Sequence, residues 1–263
     1  MKDFFSPGRF CRYFAYDLRG AWARYGLILL VLALTPVYIW VVWHFFETVI
    51  TGTWTEPDTA LRAGAATVAF LALMISAPVR IYGPLTEKRE GTSWTLLPAS
   101  IAEKTLSMVL VSGIVVPACF LVLFTGADAL VCLLDKDAAG AWTLLPKIRE
   151  AISEIKEYVR IDWFLAAITW TCSMALPFLT GAVWFRKGKV PKTFLVLFGL
   201  GMLNLMLGIQ LGPGLSDILE RKVQDIDPGT LELGLNLFIH LHNLIVGGLL
   251  CLLIGWRLRH IRH

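Results

Sequence analysis

Polar side chains are rare in the long apolar stretches of this 263-residue chain, and the few that occur have helical spacing. Asn236, His240 and Asn243 are spaced i, i+4 and i+7, which places them on one face of a helix. Asn204 and Gly208 share a face in the preceding apolar stretch in the same way. Polar residues inside a membrane usually face the bundle interior or a wet cavity. These residues therefore predict either a route for a polar substrate or helix packing through amides and small side chains.

Catalytic signatures are absent from the sequence. It contains no HExxH, no GxSxG, no Walker A motif and no paired carboxylates inside an apolar stretch. His240 and His242 are two residues apart and so lie nearly opposite each other on a helix, which excludes them as a metal pair. We expect no catalytic residue, no metal and no energy source in this chain. An intramembrane enzyme built on His240 is the least favoured alternative.

A charged loop at residues 83–103, between the second and third apolar stretches, is the other candidate functional element. Ser100 and Glu103 form a capping box that starts the following helix, and Pro98 prevents that helix from beginning earlier. A short separate helix fits between Thr86 and Trp94. The loop is either a solvated connection or an element that docks on a partner protein. Its candidate contact residues are Thr86, Glu87, Lys88, Arg89, Glu90 and Trp94.

The N-terminal segment, residues 1–24, predicts an amphipathic helix in the membrane interface. Ser6 followed by Pro7 is a favourable helix start. Arg9, Arg12 and Arg19 lie on one face of this helix, and apolar side chains lie on another. It is either a lead-in to the first span or a lever that also contacts a cytoplasmic partner.

The composition shows which elements must position these residues. Hydrophobic residues make up 56% of the chain and charged residues only 17%, far from the roughly 25% charge of soluble domains. Six runs without charge are each long enough for a helix to cross about 30 Å of hydrocarbon. The fold class is therefore an all-α membrane protein, with a six-helix transmembrane domain at 25–257. The predicted spans are 25–48, 61–82, 104–133, 162–185, 192–212 and 233–257.

Charge asymmetry predicts the orientation. Most of the 24 Lys and Arg residues fall in the N-terminal segment, the second and fourth loops and the tail at 258–263, whereas most of the 20 Asp and Glu residues fall on the other face. The positive-inside rule then places both termini in the cytoplasm. The external loops, 134–161 and 213–232, each predict a short helix, the first of them at 146–160. The five cysteines include no CxxC pair and are expected to be free thiols.

Two motifs resemble those of ABC-2-type transporter permeases, the membrane subunits of bacterial ABC exporters. They are Leu97-Pro-Ala-Ser-Ile-Ala-Glu-Lys104 after the charged loop, and the turn Gly181-Ala-Val-Trp-Phe-Arg-Lys-Gly-Lys-Val-Pro-Lys-Thr193. The layout is also similar over the whole chain: an N-terminal interfacial helix, six spans and an external helix, as in type V exporters. The resemblance implies a homodimer or heterodimer of such subunits in the bacterial cytoplasmic (inner) membrane.

The resemblance also implies a mechanism. A separate cytoplasmic ABC ATPase, which binds the ATP and Mg²⁺, would dock on the 86–94 segment as a coupling helix. Asn204 would then lie near the substrate route between the subunits. Membrane lipid is an expected partner and nucleic acid is not. The alternative is a non-transporting membrane scaffold or sensor that uses the same loop to recruit a different cytoplasmic protein. The sequence leaves the substrate open.

Overall fold

The chain folds into helices, as a computed structural model shows for residues 5–50, 52, 59–87, 91, 94, 96–134, 163–223 and 228–260. All regular secondary structure in these ranges is helical. Eight α-helices occur there: α1 Pro7–Ala33, α2 Thr35–Ile50, α3 Thr59–Tyr82, α4 Ile101–Leu110, α5 Val116–Leu134, α6 Trp163–Trp184, α7 Lys189–Val223 and α8 Pro228–Arg259. A 3₁₀ turn, Gly83–Thr86, follows α3, and a π-helix, Val111–Val115, joins α4 to α5.

Five helical stretches in the described residues are long and apolar enough to cross a membrane. They are Pro7–Ile50, Leu61–Thr86, Ile101–Leu133, Lys189–Met206 and His240–Arg259. This agrees with a multi-pass membrane protein. A further helix, α6, has 22 residues and no charged side chain in its sequence. A total of six spans remains a prediction.

The N-terminal helix differs from the expected boundary at residue 24. Pro7 occupies the first turn, as expected, but α1 then runs unbroken to Ala33. The break falls at Leu34, inside the predicted first span. Pro36 follows in the first turn of α2, and a proline there has no N–H to continue the helical ladder. The Thr35 hydroxyl donates to the Leu32 carbonyl at 2.6 Å, which satisfies an acceptor near the break.

The second difference lies in α7. The sequence predicts a span ending near 212 and a separate short helix beyond it, but the α7 backbone is helical through Val223. Pro213 lacks one N–H donor, a loss that membrane helices tolerate when neighbouring groups or local adjustments of the helix satisfy the freed backbone carbonyl. The predicted external helix at 146–160 lies outside the described residues.

The described core is one contiguous apolar cluster centred on α6, which packs against α3, α4, α7 and α8. Its most buried side chains come from six helices: Tyr25, Leu73, Met108, Phe120, Leu179 and Ile254. At one end of the bundle lie the end of α3, the 83–100 loop and the start of α4. We call this the loop end.

The opposite end of the bundle contains a buried ion pair. The Arg62 guanidinium of α3 donates to the Asp128 carboxylate of α5, and both residues are 7% exposed. The pair fixes the first turns of α3 against the last turns of α5.

Candidate functional site

The predicted capping box at the start of α4 is confirmed. The Ser100 hydroxyl accepts from the Glu103 N–H at 3.2 Å, and the Glu103 carboxylate accepts from the Ser100 N–H at 2.8 Å. Both satisfy amide groups that a helix N-terminus would otherwise leave without partners. The 83–100 loop therefore ends at a fixed point.

Glu103 also connects α4 to the start of α1, a role that the sequence pattern did not indicate. Its side chain is fully buried under the first turns of the two helices. The Arg9 guanidinium donates to both carboxylate oxygens, with Nε 2.8 Å from Oε2 and Nη2 2.9 Å from Oε1. The Ser6 N–H donates to Oε1 at 2.8 Å. One carboxylate thus stabilises the N-termini of both helices.

Trp94 holds the middle of the loop against the bundle. Its indole N–H donates to the Tyr13 hydroxyl of α1 at 2.9 Å. The Lys104 ammonium of α4 donates to the Trp94 carbonyl at 3.1 Å and lies 4.4 Å from the centre of the Trp94 ring. Trp94 is half-buried in this arrangement. It therefore holds the loop against α1 and α4, and its predicted contact with a partner protein stays a prediction.

A buried polar cluster joins α1, α3 and α4 beneath the loop. The Asp17 carboxylate accepts from the Tyr82 hydroxyl at 2.9 Å and from the Ser107 hydroxyl at 2.6 Å. Tyr82 and Ser107 are almost fully buried. Sequence reasoning missed Asp17, although a signal was present: it is the sole acidic residue between Phe5 and Phe46.

Two cations hold the end of α3 and the turn after it. Arg24 Nη1 donates to the Ile81 carbonyl at 2.9 Å, and Lys189 Nζ, at the start of α7, donates to the Gly83 carbonyl. Cations are favourable at these positions because the last carbonyls of a helix lack intrahelical partners. A Cβ at position 83 would lie 3.0 Å from Lys189 Nζ, so glycine permits the close approach.

Part of the described loop is exposed. Thr86 is half-buried, and its hydroxyl donates to the Gly83 carbonyl at 3.0 Å. Glu87 is exposed and extended, and its carbonyl accepts from the Gly91 N–H at 2.9 Å. Leu96 is 79% exposed and was not among the predicted contact residues. Lys88, Arg89 and Glu90 lie outside the described residues.

The other two arginines of the predicted interfacial helix point outward. Arg12 is exposed and donates to the Gly8 carbonyl of its own helix at 3.3 Å. Arg19 is exposed as well. Of the three predicted arginines, Arg9 is the one that binds the Glu103 carboxylate of α4.

The predicted substrate-route residues lie on α7 and α8. Asn204 is exposed on α7, whereas His240 and Asn243 are partly buried on α8. The backbone places Asn236 and Gly208 on these helices, but the side chain of Asn236 and the surroundings of Gly208 lie outside the described part of the structure. Both helices pack on α6.

The five cysteines are free thiols. The part of the chain that the structure describes contains no group of three or more His, Cys, Asp or Glu side chains arranged to hold a metal ion. Within the same part, the buried or half-buried titratable side chains Glu103, Lys104 and Asp17 at the loop end form hydrogen bonds that position helices.

The structure thus defines the chain as a multi-pass helical membrane protein with a surface loop anchored to three helices. The chain matches no protein-family model, no curated protein sequence and no solved structure.

Proposed function

We propose that this chain is the permease subunit of an ATP-driven ABC-2-type exporter in the bacterial cytoplasmic membrane, with both termini in the cytoplasm. The observation that carries the proposal is the way the 83–100 loop is held. Its exposed part presents a charge at Glu87 and an apolar side chain at Leu96. Its anchored part is bonded to α1 at Tyr13 and to α4 at Lys104.

The contacts supply a path for movement. A partner that displaces the loop pulls on Trp94, and through the Tyr13 hydroxyl it pulls on α1. Because Glu103 binds Arg9 and Ser6, α1 and the start of α4 move together. The loop and these two helices thus form one lever at the cytoplasmic end.

The energy would come from a separate cytoplasmic ATPase, because the sequence has no nucleotide-binding motif. That subunit would bind the ATP and Mg²⁺. This chain would contribute the docking loop, the lever and the membrane helices.

A second permease subunit fits the exposed face of α7. Asn204 is exposed on the single chain, in the stretch Lys189–Met206 that can cross a membrane. An amide that faces hydrocarbon lacks hydrogen-bond partners, and a neighbouring helix can provide them. The proposal includes a dimer, either of two copies or of two related chains.

Affinity purification from the native membrane tests the docking loop. We expect the tagged chain to co-purify with a Walker-type ATPase. We expect Glu87→Lys and the double variant Lys88→Glu/Arg89→Glu to reduce the ATPase yield at least several-fold. Lys187→Glu is the matched control, because Lys187 is exposed in the turn between α6 and α7. Full retention of the ATPase by both loop variants would refute the docking site.

Reconstitution into liposomes separates an exporter from a scaffold. An exporter complex hydrolyses ATP faster when its substrate is present, whereas a scaffold that recruits a cytoplasmic protein shows no such stimulation. A co-purifying partner that is not an ATPase would favour the scaffold.

A further inference from the structure

An apolar groove runs between α1 and the junction of the π-helix with α5. Its volume is about 480 Å³, within the range of roughly 300–1,000 Å³ that ligand sites occupy. From α1 it is lined by Trp22, Gly26 and Leu29, among others, and from the opposite side by Val115, Val116 and Cys119.

Local sequence keeps the groove open. Ala21, Ala23 and Gly26 supply little side-chain volume on this side of α1. A Cβ at Gly26 would lie 3.2 Å from the Trp22 ring, so the ring extends over this glycine and forms one wall. The π-helix supplies Val115 to the other wall, and π-turns within helices are frequent at functional sites.

The groove lies at membrane depth, near the loop end. Asp17, which directly precedes the lining residue Leu18, is bonded to Tyr82 at the end of α3, whereas Tyr25, within the groove, is bonded to Ser76 of α3 at 2.5 Å. The groove therefore starts near the interface and extends inward along α1. Trp22 is 61% exposed near the start, in keeping with the preference of tryptophan for membrane interfaces.

A positive charge stands at the outer end of the groove. Arg19 lines it and is exposed. Among the described residues, no carboxylate forms an ion pair with Arg19. An arginine beside an apolar channel is complementary to a molecule with an anionic head and a hydrocarbon tail.

We propose that this groove binds one acyl chain of an anionic phospholipid from the leaflet at the loop end, with the net negative charge of the headgroup beside Arg19. The hydrocarbon chain fits the apolar lining, and the only lining hydroxyl, Tyr25, is already bonded to Ser76. The site is distinct from the docking loop. It holds whether or not the chain belongs to an exporter.

Native mass spectrometry of the full chain in a mild detergent tests the proposal. The protein is titrated with phosphatidylglycerol and with phosphatidylcholine that have identical acyl chains. We expect phosphatidylglycerol to bind about fivefold more tightly, the preference that one arginine near an anionic lipid provides. Equal affinity for the two lipids would overturn the role of Arg19.

Two pairs of variants distinguish the contribution of the lipid headgroup to binding from that of the acyl chain. Arg19→Gln should abolish the preference, while Arg12→Gln, which changes an exposed arginine on the same helix, should keep it. Ala23→Leu fills the groove and should lower the affinity for both lipids several-fold. Ala15→Leu, at an exposed position outside the groove, should leave both affinities unchanged. All four positions are exposed, so these changes leave the described core intact.

The comparison between variants decides the outcome. If Arg19→Gln and Arg12→Gln lower the phosphatidylglycerol affinity equally, the attraction is general surface charge and the headgroup site is refuted. If the Ala23→Leu and Ala15→Leu variants bind lipid with equal affinity, the groove is not the binding site of the acyl chain. A second copy of the protein could occupy the groove instead. A dimer that Ala23→Leu dissociates without a change in lipid binding would overturn the proposal.

Discussion

The ion pair between Arg9 and Glu103 should couple the stabilities of α1 and α4. The prediction is a double-variant cycle with Arg9→Gln, Glu103→Gln and both changes together. Glutamine keeps the side-chain size and removes the charge. The Glu103 carboxylate also accepts from the N–H groups of Ser6 and Ser100, so its loss affects two backbone donors as well as the guanidinium.

The magnitude follows from the burial of the two partners. Hydrogen bonds to charged groups contribute about 1.5–3 kcal/mol each. The Arg9 side chain is 38% exposed, so water compensates for part of the hydrogen bonding that the variant loses. We expect Arg9→Gln to lower the free energy of unfolding by about 1 kcal/mol. Glu103 is fully buried, so Glu103→Gln should cost about 2 kcal/mol.

Unfolding in mixed micelles, followed by loss of helical circular dichroism as the denaturing detergent increases, measures these differences. The double variant should lose about 1 kcal/mol less than the sum of the single variants, because the two partners are in direct contact. Arg12→Gln is the control and should change stability by less than about 0.5 kcal/mol. A coupling energy indistinguishable from zero would refute the inference that Glu103 joins the two helices.

Two further predictions concern helix packing elsewhere in the bundle. Arg62→Met should lower the free energy of unfolding by about 3 kcal/mol because it leaves the Asp128 charge buried without its partner; the double change with Asp128→Leu should recover part of that loss, and a double variant as unstable as the single one would contradict this. Gly181→Ala should cost about 1–3 kcal/mol, since a Cβ there would overlap the Thr193 hydroxyl at 1.8 Å. Gly199→Ala, with nothing within 4 Å of the added Cβ, should be nearly neutral, and equal thermal stability of the two alanine variants would exclude the close contact.

The sequence by itself determined the class of structure. The charge-free runs are long enough to cross a membrane. Because hydrocarbon offers no hydrogen-bond partners, the backbone groups of each run must bond to one another, which a helix achieves within a single segment. Local signals also fixed particular helix starts. Ser6 with Pro7 begins α1, and the Ser100 to Glu103 capping box begins α4, because both depend on residues within one turn.

Helix ends were less predictable, because a proline that favours a break competes with an apolar run that favours a continuous helix. Pro36 ends the first helix at Leu34, inside an uninterrupted apolar run where hydropathy alone shows no boundary. Pro213 leaves the α7 backbone helical. Two prolines in apolar stretches thus had opposite effects on the helix, and hydropathy does not distinguish between them.

The tertiary structure alone decided which polar residues act together. Arg9 and Glu103 are 94 residues apart, and Asp17 and Ser107 are 90 apart, so no local spacing predicts that they are bonded. Trp94 illustrates the same limit, since no local pattern predicts that its indole N–H donates to the hydroxyl of Tyr13, 81 residues away. Sequence patterns specify elements through neighbours along the chain, whereas hydrogen-bond partners across helices are chosen by the packing of the whole bundle.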